Sequence, residues 1–322
     1  MSLLLDVQNL TISFEIEKRS FNAVDQVSFG VHPGEIVGLV GESGCGKSVT
    51  ALGILRLIPT PPGRIESGQV IFKGRDLMRI SPEEMRKIRG KEISMIFQEP
   101  TASLSPLHRI GEQLAETLML HGSVSGHEAR ELAEKWLEKV KMPDPKERMH
   151  AYPFQLSGGM QQRVMIAMAL ILEPDLVIAD EPTTALDVTV QAQIFELILQ
   201  MRNRRTSVLL ITHNMGIVWE MADRVMIMYA SKIVEEGRRN DIFSDPAHPY
   251  TQGLLRSIPK IPADSLRLKA IPGNVPSPMN YPSGCRFRDR CEFAFSRCAA
   301  EEPLHLDLGD GHRAACFLLE KG

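Results

Sequence analysis

Gly41-Glu42-Ser43-Gly44-Cys45-Gly46-Lys47-Ser48 fits the pattern G-x-x-x-x-G-K-[ST]. It follows the apolar run Glu35-Ile-Val-Gly-Leu-Val40, which reads as a buried strand, and precedes Val49-Thr-Ala-Leu-Gly-Ile-Leu55, which reads as a helix. Strand, glycine loop, helix is the setting that a phosphate-binding loop needs. The glycines let backbone N–H groups turn inward around an anion, and the following helix aims its positive dipole end at the same place. Lys47 is expected to neutralise phosphate oxygens and the Ser48 hydroxyl to ligate Mg²⁺. The residues expected to touch a nucleotide here are Gly41, Gly44, Cys45, Gly46, Lys47, Ser48 and Val49.

The chain has 322 residues, enough for one large domain or two ordinary ones, and its 43% apolar and 24% charged residues are those of a soluble protein. A net charge of −3 gives no global reason to expect nucleic acid. The longest apolar run, Val164–Leu172, has nine residues, about half of what a membrane span requires. Met1–Leu10 lacks a basic start, so a signal peptide is not expected. Cysteine use is lopsided: Cys45 lies in the phosphate loop, and Cys285, Cys291, Cys298 and Cys316 fall in the last forty residues.

Around the loop the pattern is α/β. Leu3–Phe14 alternates as strand, Glu15–Ser20 reads as a hairpin turn, and Val24–Val31 as a second strand. Phe14, or failing it Phe21, would stack on adenine or else serve as a core aromatic. Gly63–Gly68 reads as a loop before a short strand, Gln69–Phe72. Ser81-Pro82-Glu83-Glu84 reads as a helix start. Ile93–Phe97 reads as a buried strand that presents Gln98 at its carboxyl end, where α/β folds place ligand groups.

Leu107–Leu172 is helical in pattern, with Ile110, Leu114, Leu118 and Leu120 on one face and Ala129, Leu132, Trp136, Leu137 and Val140 on another. Within it, Leu156-Ser157-Gly158-Gly159-Met160-Gln161 opens a helix with a serine cap and two glycines, a second potential anion site. Leu176-Val-Ile-Ala-Asp180-Glu181 is an apolar strand that ends in two acids. Asp180 would hold Mg²⁺ through water, and Glu181 would polarise the water that attacks a γ-phosphate. Asp187 caps the next helix, and Ser207–Ile211 is a strand that ends in Thr212-His213, where His213 would orient the same water. Val225–Tyr229 and Lys232–Val234 form a hairpin, Thr251–Ser257 a helix, and six prolines from Pro259 to Pro282 a stiff connection to the cysteines.

Together, in this order, these stretches resemble the nucleotide-binding subunits of ABC transporters. Gly41–Ser48 matches Walker A, Gln98 the Q-loop, and Leu156–Gln161 the LSGGQ signature with Met160 in place of its Gln. Leu176–Glu181 matches Walker B, Ala185-Leu186-Asp187 the D-loop, and His213 the switch histidine. His248-Pro249-Tyr250, the proline-rich connection and the late cysteines look like the C-terminal extension of oligopeptide/dipeptide importer ATPases.

The resemblance implies a P-loop NTPase core of the ABC type over residues 1–255, with a helical subdomain inserted at about 100–172. A cysteine-containing extension follows over 256–322. It implies ATP and Mg²⁺, the latter held by Ser48 and Gln98, with Glu181, His213 and Gln98 in the catalytic set. Phe14, Asp180, Ser157, Gly158 and Gly159 join the nucleotide-binding set. It also implies a second ATPase subunit, two transmembrane permease subunits, an extracytoplasmic solute-binding protein and residence at the cytoplasmic membrane face. Nickel or another solute in place of peptide, or a soluble ABC ATPase, are the competing readings.

The four late cysteines are spaced C-x5-C-x6-C-x17-C, with no C-x-x-C pair. Four thiolates match the ligand count of a [4Fe–4S] cluster, with zinc the alternative, and the importer resemblance also implies iron–sulfur. Arg286, Arg288, Arg290 and Arg297 are interspersed and would offset the cluster's negative charge.

Overall fold

Two antiparallel strands, Leu5–Ile16 and Arg19–Val31, open the chain of this computed structural model, which describes residues 2–122, 124–183, 186–202, 206–258 and 271–321. The expected turn is shorter than Glu15–Ser20. Ile16 pairs with Arg19, so only Glu17 and Lys18 turn, both at positive φ as a tight two-residue hairpin requires. Burial runs Leu5, Val7, then Leu10, Ile12; the phase jumps at Asn9, which sits at φ 48 between shifted registers. Gly63–Gly68 is not a loop but the first half of one strand, Gly63–Phe72, paired to Leu5–Ile16. Gly68 marks a close approach instead. At φ 105, a Cβ there would lie 2.6 Å from Leu10 Cα.

The chain gathers into two compact units. The first holds the residues up to Val31, Val37–Met78 and those from Ile211 on. Beside its antiparallel sheet it contains all but the first residue of the phosphate-loop strand Ile36–Val40, buried throughout and parallel to Arg224–Tyr229. Lys232–Arg238 continues antiparallel, then the short strands Arg313–Ala314 and Leu306–Asp307 from the cysteine-bearing extension. The hairpin expected at Ala230-Ser231 is present, and both residues have positive φ.

Tyr229, Tyr250 and Phe287 join the extension to this core, with ring centroids 4.6 to 5.4 Å apart. Each such pair contributes about 0.5–1.5 kcal/mol beyond its buried area. Glu235, fully buried, accepts from the N–H groups of Ala247 and His248 at 2.7 and 3.0 Å and meets His312 Nε2 at 2.8 Å. The helix Pro249–Arg256 starts there, two residues earlier than expected, with His248 as its N-cap, Nδ1 accepting the Tyr250 N–H.

The second unit, His32–Ile36 and Arg79–Leu210, carries the parallel strands Ile93–Ile96 and Leu176–Asp180, with the first four residues of the strand Ser207–Thr212 beside the latter. Its helices include Ile110–His121, Gly126–Lys139 and Gly158–Leu170, as the apolar pattern from Leu107 predicts. Leu120 is the exception at 71% exposed: two residues past Leu118, it faces the opposite side of its helix. Ser81 caps Pro82–Ile88 with the reciprocal Glu84 bond of a capping box. Asp187 Oδ1 accepts the Val190 N–H at the start of Val188–Arg202. Of the expected D-loop, Ala185 lies outside the described residues, as does most of the proline-rich connection (259–270). Among the described residues no helix is long and apolar enough to cross a membrane.

Candidate functional site: two anion-binding helix starts and a cysteine cavity

In the first unit, the loop Gly41–Ser48 leaves its buried strand through backbone that only glycine fits. A Cβ on Gly41 would stand 2.1 Å from Met228 O, and one on Gly46 2.4 Å from Ala23 O. Gly44 and Gly46 have φ of 81° and 110°. Gly46 is the N-cap of Lys47–Ile54 and lends no side chain to the cap, so the first-turn N–H groups stay available for an anion. Lys47 is 6% exposed, and its Nζ donates to Gly41 O at 2.7 Å and Glu42 O at 3.0 Å. That buried cation and the helix start converge on one loop, with Ser48 and Val49 half-buried beside them. The Cys45 thiol is fully buried, and burial raises its pKa, so at neutral pH it is a packing group and no nucleophile.

His213 follows the strand Ser207–Thr212 and is exposed, and Asn214 caps the helix behind it. Phe14 is half-buried, its ring 6.2 Å from that of Phe21. One contact on the loop was not foreseeable from local pattern: Tyr250 Oη accepts the Glu42 N–H at 2.9 Å across 208 residues of sequence. Only its place in His248-Pro249-Tyr250 drew attention to it.

In the second unit, Leu176–Asp180 is buried along its whole length and delivers Asp180, 3% exposed, at its carboxyl end. Glu181 follows at φ 47, a conformation that costs a non-glycine residue about 1–3 kcal/mol and marks functional positions. Gln98 Nε2 lies 3.5 Å from Glu181 Oε2, so the glutamine and the carboxylate come together as the sequence suggests. Ser157 caps Gly158–Leu170 by accepting the Met160 N–H at 3.3 Å. Ser157 and Gly158 are exposed, with open space where a Gly158 Cβ would stand. Gln161 Nε2 ties this helix start to Pro153 O at 2.8 Å, and Gln162 Nε2 donates to Pro182 O beside the two acids.

The four late cysteines are free thiols and line one cavity of about 20 Å³, shared with Phe287 and Phe317. Burial, and then the neighbouring thiols, push Cys285 up to about 11; burial also raises Cys291 and Cys316. Metal binding at such thiols would require that they lose their protons. Among the described residues, no three His, Cys, Asp or Glu side chains are placed to hold a single ion. Of the four interspersed arginines, Arg288 lines the cavity with the cysteines. Arg286 pairs with Asp25 and Ala230 O, Arg288 with Ser283 and Ala299 carbonyls, Arg297 with Glu301 and Glu320, and Arg290 with Glu42. Each guanidinium also has a carboxylate or carbonyl partner, which fixes its position.

Residues 24–184 match the family model for the ABC transporter, and residues 234–298 match that for the oligopeptide/dipeptide transporter, C-terminal region. The chain is 48% identical over 314 residues to the dipeptide transport ATP-binding protein DppD of Escherichia coli (strain K12), covering 97% of this chain and 96% of that one. It is 48% identical over 322 residues to the oligopeptide transport ATP-binding protein AppD of Bacillus subtilis (strain 168), covering 100% and 98%. Among solved structures, a post-hydrolysis dimer of the ATP-binding cassette MJ0796 bound to ADP and Pi superposes with a TM-score of 0.67 at 27% identity. That match covers 73% of this chain and 98% of the other.

Proposed function

The chain belongs to the ATP-binding subunits of ABC transporters, an ATPase family, and from that premise we propose that it powers import of di- or oligopeptides. The observation that carries the reading is the glycine-built loop with Lys47 folded over it, joined in one chain to an extension of the oligopeptide/dipeptide transporter type. Nickel or another solute is the competing cargo.

The chemistry follows from these side chains. The loop N–H groups and Lys47 would hold the β- and γ-phosphates, Phe14 would stack on adenine, and Ser48, Gln98 and Asp180 would hold Mg²⁺ directly or through water. Glu181 accepts a proton from the attacking water, with Gln98 and His213 orienting it. The exposed Ser157-Gly158-Gly159 start caps the γ-phosphate bound to a facing ATPase subunit, so closure of the pair depends on ATP and hydrolysis reopens it. Residues 1–255 act as the nucleotide-binding domain at the cytoplasmic membrane face. The helical part about 100–172 relays closure to two permease subunits, and an extracytoplasmic binding protein delivers the solute.

Cys285, Cys291, Cys298 and Cys316 are assigned as ligands of a [4Fe–4S] cluster. A single zinc ion needs all its sulfurs at ~2.3 Å from one centre, whereas each iron of a cluster takes one thiolate and admits a wider ring. When bound, the cluster would cross-link the extension and be able to store an electron. Anaerobic protein that contains zinc, but neither iron nor acid-labile sulfide, would overturn this assignment.

The test of the main reading is uptake of labelled di- and oligopeptides beside labelled nickel, in cells carrying the wild-type chain or Lys47→Ala. Loss of peptide uptake alone is expected. Loss of nickel uptake alone replaces the cargo, and no loss of either removes both cargoes and turns the test to other solutes.

A further inference from the structure

Glu42, second residue of the phosphate loop, is held on three sides. Its carboxylate takes both ends of the Arg290 guanidinium, Nη1 to Oε2 at 2.6 Å and Nη2 to Oε1 at 3.0 Å. Its N–H goes to Tyr250 Oη at 2.9 Å, and its carbonyl accepts from Lys47 Nζ at 3.0 Å. Two of these three holds come from beyond residue 234, where the match to the oligopeptide/dipeptide C-terminal region begins.

Arg290 is itself fixed. Its side chain is 6% exposed, Nε donates to Pro272 O at 2.8 Å, and Nη2 also reaches Gly273 O at 3.2 Å. Its plane lies 5.8 Å from the Tyr229 ring centroid. A two-pronged Arg–carboxylate pair whose Nε and Nη2 are also held by carbonyls fixes orientation as well as charge. All of these residues lie in one compact unit.

The pair acts on nucleotide binding in two ways. It sets the direction of the Glu42 peptide, whose carbonyl anchors Lys47. It also cancels a carboxylate that lies in the loop and would repel a polyphosphate. Tenfold in affinity is about 1.4 kcal/mol, a modest share of what a charge-assisted fork supplies.

We propose that Arg290, carried by the cysteine-bearing extension, is a positioning residue for ATP: through Glu42 it fixes and neutralises the phosphate loop of its own chain. The proposal rests on the reading that Gly41–Ser48 binds ATP. It makes the extension a determinant of nucleotide affinity in addition to any role of the four cysteines.

The test is titration of the purified full-length chain with MgATP against a displaceable fluorescent nucleotide, reading Kd and stoichiometry separately. Wild type, Arg290→Ala, Arg290→Lys and the double variant Arg290→Ala/Glu42→Gln are compared. Arg290→Ala is expected to weaken binding about tenfold at unchanged stoichiometry, and Arg290→Lys, which keeps the charge but loses the fork, by about threefold. Removing the stranded carboxylate in the double variant is expected to recover about threefold or more.

A merely structural arginine would lower stoichiometry and melting temperature while the folded fraction kept its Kd. That result, or a double variant no tighter than Arg290→Ala, overturns the proposal. Should Arg290→Ala fail to fold, Arg290→Lys decides, and a wild-type Kd there overturns it. Wild-type protein that does not bind MgATP strikes the ATP reading itself, whereas wild-type binding with unaffected variants strikes Arg290 alone.

Discussion

The Gln98 side-chain amide meets the Glu181 carboxylate at 3.5 Å, with Glu181 held at φ 47 just past a buried strand. The proposed catalytic role of Glu181 rests on this costly backbone conformation and on the contact from Gln98, two residues past the neighbouring strand Ile93–Ile96. Glu181→Gln keeps the shape and the contact with Gln98 but removes the base. MgATP affinity is expected to stay within about threefold, and turnover by the purified transporter complex to fall about 10²–10⁴-fold. Near-normal phosphate release would remove Glu181 from the catalytic role.

Gly46→Ala tests the loop's geometry without touching charge. At φ 110, and with Ala23 O 2.4 Å from the new Cβ, alanine is excluded both by conformation and by space. Loss of measurable MgATP binding and a drop of several degrees in melting temperature are expected, consistent with about 2 kcal/mol or more of strain. Gly34→Ala is the control. It has φ 72 but nothing within 4 Å, so its cost is about 1 kcal/mol and nucleotide binding persists. Equal behaviour of the two variants would refute the steric account.

Among the histidines, His248 is buried and bears first on acid stability. Burial, then His305, hold His248 down to about 3, and burial also lowers His121 and His305. A histidine with a depressed folded value leaves stability flat above its unfolded value of ~6.5. Below that, the unfolded chain binds a proton that the folded chain refuses, and stability falls with pH. From pH 7 to 5, His248 alone is expected to remove about 2 kcal/mol.

Asp25 acts later. Burial raises its pKa, but Lys232 and Arg286 outweigh burial and lower it overall. Its contribution is complete above the unfolded value of 3.8 and is lost as pH drops through the lower folded value. Urea midpoints at pH 7 and 5 check the histidine effect. His248→Asn, whose side-chain oxygen can still accept the Tyr250 N–H, should show a visibly smaller change, and an identical change would exclude His248 as the cause.

The loop, Walker-type strand and capped helices were legible because their demands fall on residue types that advertise them: glycine at positive φ, serine at a cap, an acid at a strand end. The same signals misled where one residue type serves two geometries. Gly63 and Gly68 suggested a loop, yet they lie in one strand with a close crossing at Gly68. Leu120 was assigned to a buried face that its helical angle does not reach. The holds on Glu42 were invisible for a different reason. Tyr250 and Arg290 are 208 and 248 residues away, and no local pattern encodes a partner at that distance. Arginines spaced among cysteines suggested charge balance; Arg288 lines the cysteine cavity, while the partners of Arg286 and Arg290, Asp25 and Glu42, lie far off in sequence.

Ser157 separates a structural from a catalytic role at the second helix start. Its hydroxyl accepts the Met160 N–H at 3.3 Å, and its surface is exposed. As a cap alone, Ser157→Ala would cost about 1 kcal/mol of stability and leave turnover nearly unchanged. If the exposed start also caps the nucleotide of a facing subunit, the same change removes a donor to the γ-phosphate. ATPase activity of the assembled complex is then expected to fall tenfold or more, while MgATP binding by the isolated chain, which uses Lys47 and the glycine loop, is retained (about 1.4 kcal/mol per tenfold). Melting temperature, isolated-chain Kd and complex turnover together distinguish the two. A small stability loss with full turnover would confine Ser157 to capping its own helix.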